Sequence, residues 1–196
     1  DEDYLETGTD EGGALATAKI HAFSTNVKLR FYPEGVDADE VILAFVAACR
    51  RYERLFSRTL PHSDIACLNA AHGAPVSIDP ETADLLEFSR LYAKASEGLF
   101  DVTVAPLLDL WEKAQREGCE PSAAKIRRMR SHVGWNKIER FRAGAPVLGP
   151  EDDARGWIAR LSDPQAQLDC GGIAKGFVAA RLGVLLRRRG IGCFLI

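Results

Sequence analysis

The segment 168–177, LDCGGIAKGF, is the most specific stretch of this 196-residue sequence. Its pattern predicts a strand that ends at Leu168, then Asp169 and two glycines, then a helix whose first turn carries Lys175. Glycines at such a junction let a ligand approach the backbone, and the free amide groups at a helix start attract phosphate oxygens. The alternative is an ordinary strand-to-helix junction with a surface lysine, because Gly-Gly-x-x-Lys matches neither the Walker nor the Rossmann spacing.

Segments on both sides of this junction alternate between strand and helix patterns. Period-two alternation predicts one strand over 19–32, and apolar residues at three- and four-residue steps predict a helix over 37–56. The remaining predicted elements are a structured loop over 57–77 with a short helical stretch at 64–69, helices at 80–96, 107–117, 122–132 and 173–189, and strands at 99–104, 137–142, 157–161, 165–168 and 192–196. Because some strands come in a run, this order favours an α+β fold over a doubly wound sheet.

The composition excludes several classes of protein. Lys and Arg number 25 against 28 Asp and Glu, so the net charge of −3 provides no broad positive field for binding nucleic acid. The sequence has no run of about 18 apolar residues, so no membrane-spanning helix is expected. Five scattered cysteines, without a CxxC or a zinc-ligand spacing, favour buried free thiols over a zinc site.

The two ends of the sequence carry different signals. Residues 1–18, DEDYLETGTDEGGALATA, hold six acids and no base, and they predict a flexible acidic lead-in before one domain over 19–196. At the other end, the buried-type strand at 193–196 stops with no turn or polar tail, which predicts that the domain continues beyond residue 196.

Two further segments place polar residues in specific surroundings. In 98–111, GLFDVTVAPLLDLW, Asp101 follows an aromatic residue close to a helix-ending glycine. Its carboxylate can bind a ligand hydroxyl or ring nitrogen, or it can cap a turn or the following helix, which is the commoner role. In 56–69, FSRTLPHSDIACLN, Ser63 is predicted to cap a short helix and Asn69 to end it.

The predicted strand over 99–104 gives Asp101 an orientation. Period-two alternation puts Phe100 and Val102 on one face and Asp101 on the other. If the first face packs in the core, Asp101 points into a cleft. We then expect Asp101→Asn to reduce ligand binding and to change stability by less than about 1 kcal/mol.

In this order and at these separations, the segments at 57–69, 98–111 and 169–177 resemble motifs of the FAD:protein FMN transferase family, the ApbE-like flavin transferases. The likeness extends over 19–196. It implies an ApbE-like α+β domain that cleaves FAD with the help of Mg²⁺, releases AMP, and attaches FMN to a Thr or Ser hydroxyl of an acceptor protein. A non-catalytic protein that binds or scavenges FAD on the same scaffold is the alternative.

The resemblance also assigns roles to residues by position. The implied FAD contacts are Phe23, Thr59, Leu99, Phe100, Asp101, Asp169 and Lys175, with Lys175 near the phosphates. Gly172 is implied to offer its backbone carbonyl to Mg²⁺, and no catalytic residue is assigned. Two positions depart from the family: Phe23-Ser24-Thr25 stands in place of Met-Gly-Thr, and Thr59 stands where an aromatic residue is frequent. Both positions help to hold the adenine in the family.

Further family properties lie outside these motifs. The carboxylate and Thr ligands of the metal belong to later Asp-Pro-x-Thr-Gly and Ala-Asp-x-x-x-Thr segments, so we expect the isolated chain not to turn over FAD. The resemblance implies an extracytoplasmic protein, periplasmic or lipid-anchored at the cell surface. The five unpaired cysteines favour a reducing compartment instead.

Overall fold

The computed structural model describes residues 5–10, 12–33, 35–142 and 156–196, and its mixture of helices and sheets confirms the α+β class. In chain order the elements are β1 (Leu5–Thr9), β2 (Ala16–Ala22), β3 (Thr25–Phe31), α1 (Ala38–Phe56), α2 (Asp64–Ala70), β4 (Val76–Ile78), α3 (Pro80–Ala95), α4 (Ala105–Glu117), α5 (Ala123–Arg130), a 3₁₀ turn (Trp135–Lys137), β5 (Ile138–Arg142), β6 (Trp157–Leu161), α6 (Gly171–Arg188) and β7 (Phe194–Leu195). The chain divides into two compact units, Asp1–Arg54 with Ile173–Ile196, and Leu55–Gly172.

The first unit contains an antiparallel sheet in the order β1-β2-β3-β7. Alternate residues of β2 and β3 are buried, among them Ile20, Leu29 and Phe31, as the period-two pattern predicts. Helix α1 confirms the helix predicted over 37–56 and buries Phe45 and Cys49. No helix within the described ranges is long and apolar enough to cross a bilayer.

The edge and the turn of this sheet correct two predictions. The exposed strand β1 pairs along β2, which begins at Ala16, so the expectation that 1–18 lie outside the fold is wrong for residues 5–9 and 16–18; residues 1–4 and 11 lie outside the described residues. The single strand predicted over 19–32 is also wrong. Residues 23 and 24 form a two-residue hairpin turn, with φ of 54° and 55°, between the paired residues Ala22 and Thr25. Such turns usually contain Asn or Gly, so Phe-Ser gives no turn signal.

Replacing Ser24 by Gly is expected to raise the free energy of unfolding by about 0.5–1 kcal/mol. The left-handed conformation costs a residue with a Cβ roughly 1–2 kcal/mol, and Gly offsets part of this gain through its larger backbone entropy. Urea denaturation would measure the change. Ser24→Ala keeps the Cβ and serves as the control; an equal gain in both variants would contradict this explanation.

The second unit combines an antiparallel sheet in the order β4-β6-β5 with helices α2 to α5. Helix α3 starts as its sequence predicts, because the Asp79 side chain accepts a hydrogen bond from the Glu81 amide at 2.8 Å and Pro80 occupies the first helical position. Gly98 follows α3 with φ of 83°, again as predicted. The strands predicted over 137–142 and 157–161 are confirmed as β5 and β6.

Other predictions for this unit are wrong. Residues 99–104 and 165–168 form no strands; they share only a single bridge, between Val104 and Gln167. Helix α4 begins at Ala105 rather than at residue 107, because a proline is tolerated within the first helical turn.

The cysteines follow the prediction of buried free thiols only in part. Cys49 and Cys170 are buried, and burial raises the pKa of each thiol to about 12. Cys67 is half-buried, whereas Cys119 and Cys193 are exposed. All five are free.

Candidate functional site

Three segments that the sequence analysis singled out meet within the second unit, just before helix α6. The Asn69 side chain binds both backbone groups of Leu168: its Nδ2 donates to the carbonyl at 3.0 Å, and its Oδ1 accepts from the amide at 2.6 Å. The Asp169 amide donates to the Val102 carbonyl at 2.7 Å. Hydrogen bonds therefore join the segments at 57–69 and 98–111 to residues 168 and 169, just before α6.

Glycines at this junction permit close contacts. A Cβ added to Gly172 would lie 3.3 Å from Cε2 of Phe100, so the small residue lets that ring approach the start of α6. A Cβ added to Gly171 would lie 2.9 Å from Oδ1 of Asp169. The same oxygen accepts a hydrogen bond from the Gly171 amide at 2.7 Å. The glycine pair thus fixes one oxygen of Asp169 and makes room for Phe100.

Asp101 lies in a turn, not in the predicted strand. Its Oδ1 accepts from the Thr103 amide at 2.8 Å and from Thr103 Oγ1 at 2.7 Å, and its Oδ2 accepts from the Trp135 amide at 2.8 Å. Thr103 is fully buried, and its Oγ1 accepts in turn from the Gly134 amide at 2.7 Å. The carboxylate therefore caps a turn, which is one of the two roles that the sequence left open. These contacts use three of its roughly four acceptor positions.

Leu99 and Thr59 lie at the surface of the second unit. Leu99 is 94% exposed, so its apolar side chain is accessible to a ligand. Thr59 is exposed in a loop that Ser57 organises, since the Ser57 hydroxyl accepts from the amides of Thr59 and Leu60 at 3.2 and 3.1 Å. Ser63 caps α2 as predicted, accepting from the amide three residues on at 3.0 Å.

Arg58 is a member of this site that sequence reasoning missed. Its guanidinium binds three carboxylates: Nη1 lies 2.9 Å from Asp109, Nη2 lies 3.0 Å from Glu112, and Nε lies 3.1 Å from Asp169. Burial lowers the pKa of Arg58, but the three carboxylates outweigh it and hold this pKa above its ordinary value. These partners are 51 or more residues away along the chain, so no local pattern indicates the cluster.

Two residues assigned by resemblance line one pocket of the first unit. Phe23 and Lys175 are part of the wall of a cavity of about 250 Å³, together with apolar residues of α6 that include Val178 and Leu182. The Phe23 amide donates to Oε1 of Glu53 at 2.7 Å, which anchors the strained hairpin turn to helix α1. Phe23 therefore reaches this wall from a backbone conformation that non-glycine residues seldom adopt.

The residues described here do not by themselves fit a magnesium site. Mg²⁺ requires octahedral oxygen ligands, usually one or two carboxylates, water and substrate phosphates. Among the residues that the structure describes, no group of three or more His, Cys, Asp or Glu is arranged to hold a metal ion. The Asp169 carboxylate is bound at one oxygen by the Gly171 amide and at the other by Arg58.

Replacing Asn69 by Ala is expected to lower the free energy of unfolding by about 1–2 kcal/mol. The substitution removes two hydrogen bonds and leaves the backbone groups of buried Leu168 without their partner. Urea denaturation measures the loss, with the exposed Asn26→Ala as a control that changes stability by less than about 0.5 kcal/mol. Equal stabilities of the two variants would contradict the bridging role of Asn69.

The sequence of this chain matches one protein family and several curated relatives. The model of the ApbE family matches residues 23–196. The FAD:protein FMN transferase of Treponema pallidum is 28% identical over 148 residues, which cover 75% of this chain and 39% of that protein. The FAD:protein FMN transferase of Klebsiella pneumoniae is 26% identical over 148 residues, covering 75% and 43%. The chain thus spans about two fifths of the length of these curated relatives.

Solved structures show the same fold. The apo form of the flavinyl transferase ApbE of Pseudomonas stutzeri superimposes with a TM-score of 0.74 at 18% identity, covering 100% of this chain and 57% of that one. This likeness extends to both units of the chain.

Proposed function

This chain belongs to the ApbE family, and on that premise we propose that the protein is an FAD:protein FMN transferase. The observation that carries the proposal is the meeting of the three motif segments before α6, where Asn69, Val102 and Arg58 all bind residues 168–169. Such a hydrogen-bonded junction of loops at a helix start is suited to a phosphate-containing ligand.

The proposed reaction breaks the phosphoanhydride bond of FAD and forms a phosphoester bond to the acceptor. The hydroxyl oxygen of a Thr or Ser on the acceptor protein bonds to the flavin-side phosphorus of FAD. The bond from this phosphorus to the bridging oxygen breaks, AMP leaves with that oxygen, and the hydroxyl proton passes to water. The protein's part is to position and to stabilise charge, because phosphoryl transfer of this kind needs little else from side chains.

The FAD contacts are proposed residue by residue, as the resemblance assigns them. In the second unit, Leu99 and Phe100 supply apolar and aromatic surface, while Asp101 and Asp169 supply carboxylates that accept hydrogen bonds from the ligand. The one remaining acceptor position of Asp101 and the exposure of Leu99 support these roles. In the first unit, Lys175 supplies a positive charge for the diphosphate.

Phe23 and Thr59, the residues at the two positions that differ from the family pattern, are proposed to contact the adenine. Phe23 offers an aromatic face for stacking, which supports this assignment. Thr59 offers only a small polar side chain at the position where the family often has an aromatic ring.

Magnesium and location complete the proposal. We assign the Gly172 carbonyl to Mg²⁺ by resemblance, with the ion supplying charge neutralisation of the diphosphate when bound. An extracytoplasmic protein, periplasmic or lipid-anchored at the cell surface, is proposed on the same ground. Protease treatment of cells whose outer membrane has been removed tests the location, since a protein outside the cytoplasmic membrane is digested or released and one inside is protected.

The test of the proposed function is a transfer assay. The full-length protein is incubated with FAD, Mg²⁺ and a Thr-containing acceptor protein, and the acceptor is analysed for covalently bound FMN by its increase in mass. This chain by itself serves as the control, because it is expected not to turn over FAD. AMP release in step with flavinylation is the expected result. Absence of both, from protein that binds FAD, would overturn the proposal.

The second candidate is a protein that binds FAD without transferring FMN. The replacements at Phe23 and Thr59 favour this candidate. Stoichiometric FAD binding with no AMP released would select it.

A further inference from the structure

The guanidinium of Arg58, in the second unit, forms ion pairs with three carboxylates that differ in solvent exposure. The side chains of Asp109 and Glu112 are each 52% exposed, whereas those of Arg58 and Asp169 are 22% and 20% exposed. The two exposed carboxylates lie three residues apart on α4, and each takes one terminal nitrogen of Arg58. Because a guanidinium is planar, these two contacts fix its plane and leave Nε to the less exposed Asp169.

The contact at Nε completes the fixation of Asp169. Its Oδ1 accepts from the Gly171 amide, its Oδ2 faces Arg58, and its own amide is bound to Val102. A carboxylate held at both oxygens keeps one orientation, and each oxygen retains an acceptor position for a ligand. Solvent-exposed ion pairs of long side chains contribute little to the stability of a fold. Because Asp109 and Glu112 are half-exposed, stabilisation of the fold is a poor explanation for this cluster.

We propose that Arg58 is a positioning residue that orients the carboxylate of Asp169 for FAD and offsets the negative charge beside it. This inference rests on the proposed function, because it takes Asp169 as an FAD contact. Without Arg58, three carboxylates would face one another where an anionic ligand is to bind, and Asp169 would lose the positive charge that lies 3.1 Å from its Oδ2.

Arg58→Met tests the proposal in the intact protein. FAD affinity is measured by quenching of flavin fluorescence, and stability by urea denaturation. We expect FAD to bind about tenfold more weakly, with the unfolding midpoint almost unchanged. Arg90→Met is the matched control, since Arg90 also donates to a carboxylate, that of Glu87, but on α3. Equal FAD affinities of the two variants would overturn the proposal.

Two further variants separate positioning from a general structural role. Arg58→Lys keeps the charge but not the planar guanidinium, so its FAD affinity should lie between those of wild type and Arg58→Met. An FAD affinity equal to wild type would overturn the positioning role. This test remains valid even if Arg58→Met fails to fold. In Arg58→Met combined with Asp109→Asn and Glu112→Gln, the repulsion is removed and part of the affinity should return. No recovery in the combined variant would overturn the charge-offsetting role.

The proposed function is tested separately. Asp169→Asn should weaken FAD binding at least as much as Arg58→Met does. If Asp169→Asn binds FAD like wild type, the inference about Arg58 is wrong while the transferase proposal stands. If wild-type protein binds no FAD, the transferase proposal itself is wrong.

Discussion

Replacing Lys175 by Met is expected to weaken the binding of FAD by about 10- to 150-fold and to leave the affinity for riboflavin within about twofold. A charge-assisted contact is worth about 1.5–3 kcal/mol, which gives this range of affinity. Lys175 is exposed in the first turns of α6, and it lines the cavity whose wall also includes Phe23. Only FAD presents the diphosphate that an ammonium group at this position is proposed to bind.

The measurement is a pair of fluorescence titrations with FAD and riboflavin. Lys94→Met, at an exposed position on α3, is the control for the loss of one positive charge, and it should bind both flavins like wild type. A loss of affinity that is equal for FAD and riboflavin would indicate a folding defect. Unchanged FAD affinity would remove Lys175 from the site.

Helices were predictable from the sequence because their signals are local. The apolar spacing of α1 and the caps at Asp79, Ser63 and Ser122 all lie within a few residues of the structure that they specify. Strand β1 was missed for the opposite reason. Its residues are exposed, and its place depends on pairing with β2 across the intervening loop.

The same difference between local and long-range signals applies to the candidate site. The order and spacing of three motifs predicted which segments matter, and the structure brings these segments together before α6. The contacts themselves were not predictable. Arg58 binds carboxylates that are distant in sequence, and Asp101 was assigned to a strand because β-branched and aromatic neighbours mimic one.

The turn geometry of Asp101 changes what its replacement should do. Asp101→Asn is now expected to lower the free energy of unfolding by about 2–3 kcal/mol, rather than the less than 1 kcal/mol that a ligand-facing strand residue implied. An amide has a single carbonyl oxygen, so its NH₂ must face either the Trp135 amide or the two donors of Thr103. Whichever side it faces, at least one hydrogen bond is replaced by a contact between two donors.

Thr103→Val separates this structural role from an FAD contact. The variant removes the hydroxyl that donates to Asp101 and accepts from the Gly134 amide, but it keeps the carboxylate. It should lose about 1–3 kcal/mol of stability and still bind FAD like wild type. If Asp101 also contacts FAD, Asp101→Asn loses affinity that Thr103→Val retains at comparable stability. If the two variants bind FAD equally well, Asp101 acts in the turn alone, and its assignment to the flavin site is wrong.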